Sequence, residues 1–171
     1  MSTYRNFKIE GVDEDFNNIE VNIWHKAGKV GIPLWCWDLI IEYLKDVDFE
    51  EGEFIDDYSV GYGDDELIDI SSEQTIEFVN ILSKAKEGLK SSDSIYTLFK
   101  DKVYDEEMEE YEDGNHEYIC MIEALIQLYK RSLNAKKPIC AYNHKNSITW
   151  SAVPLKEFGI KSTWAEWEEA E

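Results

Sequence analysis

The sequence predicts a single α+β domain spanning its 171 residues, with a helical centre and a small antiparallel sheet built from the N- and C-terminal regions. Three observations lead there. Segments near both ends alternate apolar and polar residues, the pattern of a half-buried strand. Between them apolar residues recur at spacings of three and four, most regularly at Ile119, Ile122, Ile126, Tyr129 and Leu133. No internal repeat, low-complexity linker or shift in composition divides the chain, so strands around a helical middle form one unit. At about this length roughly 70% of the unfolded surface can be buried. A hydrophobic share of 43% is within the range that a globular core needs.

From the N-terminus, Tyr4, Phe7 and Ile9 sit among polar neighbours, and Ile19, Val21 and Ile23 alternate with Glu20, Asn22 and Trp24. Both segments read as strands. Asp13 to Asp15 and Asn17-Asn18 turn the chain between them, and Gly28, Gly31 and Pro33 then punctuate it. A helix starts at Pro33, which lacks only an N–H that would find no intrahelical acceptor. Leu34, Trp37, Ile41 and Leu44 form its stripe, widened by Trp35, Ile40 and Tyr43. Trp35 and Trp37 point in different directions from such a helix, so they read as core rather than as a stacking site. After an acidic segment, Gly61 and Gly63 mark a turn with short strands on either side.

Ser71 or Ser72 caps the next helix, and Gln74 completes a capping box with Ser71. Phe78, Leu82, Ala85 and Leu89 are its apolar face. Ser91-Ser92-Asp93 offers a cap to a further helix containing Ile95, Leu98 and Phe99. The acids from Asp105 to Asp113 read as a solvated helix end. Gly114-Asn115 breaks the pattern before the helix of the Ile119 stripe, where Lys130 and Arg131 complement the helix dipole. Beyond Pro138, Ile139, Ala141 and Asn143, then Ile148 and Trp150, read as strand around a turn at His144 to Asn146. Trp164 to Glu171 is a short helix or a loose tail, and its Trp164 and Trp167 form a candidate auxiliary contact.

Charge carries the functional signal. From Asp46 to Ser83 there are thirteen carboxylates and no lysine or arginine, within a chain of formal net charge -20. Such one-sided charge opposes folding through self-repulsion, so another demand maintains it. Phe49, Phe54, Ile55, Tyr58, Val60, Tyr62, Leu67, Ile68 and Ile70 interleave with the acids, unlike an acidic disordered tail. The pattern predicts a folded surface presented to a basic protein, since opposed potentials speed encounter and reject wrong partners. It argues against direct binding to nucleic acid, which needs concentrated Lys and Arg, and against an anionic membrane.

The residues near Met1 lack a signal-peptide core, and no apolar run reaches the roughly 20 residues that span a bilayer. Cys36, Cys120 and Cys140 are odd in number and form no CxxC pair, which fits a reducing cytoplasm. Catalytic signatures are missing. There is no G-x-S-x-G elbow, phosphate loop or dinucleotide fingerprint, and Gly61-Tyr62-Gly63 is only a fragment of the last. The calcium-loop spacing does not occur. His116 and Cys120, four apart on a helix, face the same way but have no second ligand pair. The expectation is a protein with no catalytic residues, no cofactor and no metal.

The acidic-aromatic stretch from Phe54 to Tyr58 and from Gly61 to Glu66, with the size, acidity and lack of catalytic motifs, resembles bacterial immunity proteins that neutralise nuclease toxins. Those of contact-dependent growth inhibition systems are the nearest type. The resemblance implies a tight inhibitor of one cognate toxin, seated over or beside a basic active site. The residues expected to touch that toxin are Asp56, Asp57, Tyr58, Tyr62, Asp64, Asp65, Glu66 and Asp69. Two other readings stand beside it: a nucleic-acid mimic acting on a host DNA-binding protein, and a small enzyme or ligand-binding domain without a recognisable motif.

Overall fold

The computed structural model describes residues 3–10, 29–63, 66–110 and 114–144. The expected strand at Ile19 to Trp24, the Asp13–Asn18 turns, the His144–Asn146 turn beyond His144, the Ile148–Trp150 strand and the tryptophans at 164 and 167 lie outside these residues. In chain order the elements are β1 (Tyr4–Ile9), β2 (Lys29–Pro33), α1 (Leu34–Val47), α2 (Phe49–Asp57), α3 (Ser72–Leu89), α4 (Ile95–Phe99), a 3-10 turn (Lys100–Lys102), α5 (His116–Ala135) and β3 (Ile139–His144). The fold is α+β, as the sequence predicts.

The sheet is antiparallel in the order β2-β1-β3, which places the two ends of the described chain on neighbouring strands, β1 and β3. Register aligns Phe7 with Val30 and Ala141, and Ile9 with Ile139. These residues are all buried. With a period of two, Arg5 shares the face of Phe7 and Ile9 and is directed at the helices. The β2 strand corrects the expectation that Gly31 and Pro33 merely punctuate the chain. Pro33 closes the strand instead of opening a helix, which begins one residue later at Leu34. Because β2 lies at the edge of this three-stranded sheet, a proline there is tolerated.

Helix α5 is the centre of the molecule, and it packs on α3 and on the sheet. Seven successive residues from Cys120 to Ile126 are buried, so the helix is enclosed on all sides through its middle. Of the expected stripe, Ile122, Ile126 and Tyr129 are buried, whereas Ile119 and Leu133 at its ends are only partly buried. The aromatic core forms a continuous chain. Trp37 meets Phe7 edge-on at 5.4 Å, Phe7 lies 6.4 Å from Tyr129, and Tyr129 stacks on Phe78 at 4.2 Å. Phe78 then meets Phe54 at 6.4 Å, and Phe54 meets Tyr58 at 4.9 Å. Trp35, Cys36 and Trp37 are all core residues.

Helix α3 begins with the capping box expected at Ser71 and Gln74, both of its hydrogen bonds being present. Two other expectations are corrected. Ser94, not Ser91 to Asp93, occupies the N-cap position of α4, and it makes no side-chain capping hydrogen bond. The carbonyls of Ser92 and Asp93 accept instead from the buried Asn115 side chain, whose oxygen accepts from the Ile95 N–H. One side chain thereby ties the start of α5 to the start of α4. Nor do Asp105 to Glu110 form a helix end: helical structure stops at Lys102, and Asp105 accepts from the Glu107 N–H in a turn. Clustered carboxylates repel across a helical turn, which disfavours helix there.

Candidate acidic docking site

Helix α2 carries the acidic segment, in which no apolar periodicity predicts a helix. Asp48 caps it by accepting from the Glu51 N–H, and Glu50 and Glu51 lie in its first turn, where the helix dipole favours negative charge. Gly52 allows it to lie against α1, since a Cβ there would stand 2.6 Å from the Lys45 backbone nitrogen. Lys45 also pairs with Asp56 at 3.3 Å, and Lys84 pairs with Glu51. The two lysines that bound the cation-free stretch therefore fold back onto it.

Past α2 the chain turns and returns to the sheet. Ser59 is fully buried, and its hydroxyl donates to the Asp56 carbonyl while its own carbonyl accepts from Arg5 at 3.1 Å. Arg5 Nε donates to Asn143 at 2.7 Å, so one guanidinium links the acidic turn to β1 and β3. Tyr62 bridges to Leu67, and Leu67 bridges to Cys140 on β3. The Ala141 N–H donates to Glu66 O, and the Ile68 N–H donates to Ile139 O, both at 2.9 Å. The acidic segment thus lays a minimal fourth strand along β3. The expected turn with short strands is present, reduced to two isolated bridges.

Four of the eight expected residues converge here. Asp57, Tyr58, Tyr62 and Asp69 line one open cleft of about 550 Å³. Asp57 and Asp69 are exposed, and Tyr62 stands 59% exposed with its hydroxyl donating to the Asp57 carbonyl at 3.3 Å. Tyr58 differs. It ends the aromatic chain of the core, and its hydroxyl accepts from Gln74, the residue that completes the α3 capping box. Tyr58 shapes the cleft wall more than it offers a free anchor. Asp56 turns toward Lys45, outside the cleft. Glu66 adopts a left-handed backbone at φ 55° and lines a neighbouring hollow of about 230 Å³ with Arg5 and Asn143. Asp64 and Asp65 lie outside the described residues.

Sequence reasoning missed Arg5, Gln74 and Asn143 as supports of this site. Gln74 was visible only as a cap, and Arg5 only as a polar residue in an alternating strand. Asp38, exposed on α1, has its pKa raised above the ordinary carboxylate value by partial desolvation; Arg5 opposes the shift, and Asp56, Asp105 and Glu42 add to it. Burial lowers the Arg5 pKa, and Asp38 and Asp56 act against that.

The cleft presents carboxylate and phenol oxygens, which suit charge-assisted bonds from lysine or arginine. Among the described residues, no group of three or more His, Cys, Asp or Glu is placed to hold a metal ion. His116 and Cys120 do share a face, with Sγ and Nε2 3.7 Å apart. No helix among the described residues is long and apolar enough to cross a membrane. Comparison with protein-family models, with curated proteins and with solved structures finds no match.

Proposed function

We propose that this chain is an immunity protein: a cytoplasmic, non-catalytic inhibitor that binds a cognate basic toxin domain, a nuclease of the contact-dependent growth inhibition type. The observation that carries the reading is the open cleft of Asp57, Tyr58, Tyr62 and Asp69 inside a stretch with thirteen carboxylates and no lysine or arginine. A nuclease holds Lys and Arg in its own cleft to bind phosphates, and a carboxylate surface occupies the same field. Long-range attraction raises the association rate. Close charge-assisted pairs and an aromatic contact at Tyr62 slow dissociation.

The test is the affinity of a basic toxin domain, sought among the products of the genes adjoining that of this chain, for a variant with Asp56, Asp57, Asp64, Asp65, Glu66 and Asp69 replaced by their amides. Its fold is checked by circular dichroism. Exposed carboxylates should act chiefly on association rate and its salt dependence, whereas one buried against a toxin arginine should cost roughly 2–5 kcal/mol. Asp57→Asn and Asp69→Asn should account for most of the loss. Unchanged affinity together with undiminished protection of cells would rule out this surface.

A further inference from the structure

The cleft has one exposed aromatic, because Tyr58 is tied into the core. Affinity concentrates in a few well-packed, desolvated residues, aromatics prominent among them, and a second such anchor lengthens a complex's life. The other end of α2 supplies it. Val47 and Phe49 are each 60% exposed at the corner between α1 and α2. Val47 also lines a groove of about 150 Å³ between α1 and α3, whose walls include Tyr43, Leu44, Ile81 and Ala85. Gly88 keeps those helices close, because a Cβ there would stand 2.6 Å from the Tyr43 hydroxyl. Small-molecule pockets run to roughly 300–1,000 Å³, so this groove suits a single side chain rather than a metabolite.

Charge identifies the visitor. Asp46, Asp48 and Glu50 stand exposed beside Val47 and Phe49 in the chain. Glu51 and Lys84, which also line the groove, neutralise each other in an ion pair. An apolar side chain entering here is therefore met by negative charge beside the groove.

We propose that this groove, with Val47 and Phe49, is the second half of the toxin-docking surface and takes an apolar side chain of the toxin flanked by lysine or arginine. The inference rests on the immunity reading. Phe49 and Asp57 begin and end α2, about 12 Å apart at 1.5 Å rise per residue, a separation shorter than the span of an interface of roughly 800 Å² per partner. The cleft governs encounter, and the groove adds most to residence.

The test is stopped-flow and surface-binding kinetics of the full chain with the toxin domain that it binds. Val47→Ser/Phe49→Ser should raise the dissociation rate about ten- to thirtyfold with association within twofold, as loss of a hot spot of about 2 kcal/mol implies. Asp57→Asn/Asp69→Asn should instead lower the association rate, with a smaller effect on dissociation than Val47→Ser/Phe49→Ser. Val47→Thr, nearly isosteric at an exposed position, should keep the fold and still speed dissociation. An unchanged dissociation rate in these variants, with toxin binding intact, overturns this inference and leaves the immunity reading standing. Failure of the unaltered chain to bind any such toxin domain overturns both. Sedimentation showing a dimer that Val47→Ser/Phe49→Ser dissolves would assign the groove to a second copy of this chain and also overturn the inference.

Discussion

Tyr58 and Tyr62 lie four residues apart in the same acidic stretch and have different fates. Tyr58 closes an aromatic chain that begins at Trp37, whereas Tyr62 stands out beyond a glycine turn. That turn depends on Gly61, where a Cβ would stand 2.0 Å from Glu66 O and 2.6 Å from Ala141 O. Neither obstacle is a flexible side chain. Gly61→Ala should therefore cost about 2–3 kcal/mol in a urea titration. Gly63→Ala, with open space but φ 74°, should cost about 1 kcal/mol. Equal losses at the two glycines would refute the steric account. At Asp38 the raised pKa sets the sign of a pH effect. A carboxyl that is harder to ionise in the fold lends stability while protonated and loses it as pH rises through the folded pKa. Asp38→Asn should thus raise Tm at pH 7, and the gain should vanish below about pH 4, where the unfolded group also takes up its proton. A gain that persists at low pH would point to packing instead.

The elements are held by pairs that join one helix to the next. Helix α2 is acidic at both ends, and its C-terminal Asp56 opposes the helix dipole. Its persistence depends on the Asp48 cap, on Gly52 against α1 and on the Lys45 pair. Between α3 and α5 the joint is more enclosed: Lys86 meets Glu123 at 2.8 Å, with Glu123 also accepting from Gln127. Removing one partner of an enclosed pair leaves the other charge uncompensated, which is more costly than removing both. Lys86→Met should destabilise by about 3 kcal/mol, and Lys86→Met/Glu123→Leu should recover most of it. Denaturant midpoints at constant slope would measure this, and a double variant weaker than the single would contradict it.

For the whole molecule, a formal charge of -20 means that folding concentrates like charge. Added salt shortens the screening length from about 30 Å at 0.01 M to about 8 Å at 0.15 M. Stability should therefore rise with NaCl over that range, while association with the proposed toxin should slow. The two responses have opposite signs because screening relieves repulsion within the chain and weakens attraction between chains. A Tm that falls with salt would mean that attractive pairs such as Lys86–Glu123 outweigh the self-repulsion.

Features encoded by local chemistry or by period were legible in the sequence. The capping box at Ser71 and Gln74, the stripe of α5, the strands at Tyr4 to Ile9 and beyond Pro138, and the acidic stretch itself each declare themselves within a few residues. The helix from Phe49 to Asp57 did not, because its stability comes from α1 and a glycine contact rather than from its own propensity. The sequence also could not rank the acids. Asp56 and Asp57 are neighbours, yet one turns to Lys45 and the other to the cleft. Which carboxylates remain available depends on where lysines distant in the chain arrive, and only tertiary packing decides that.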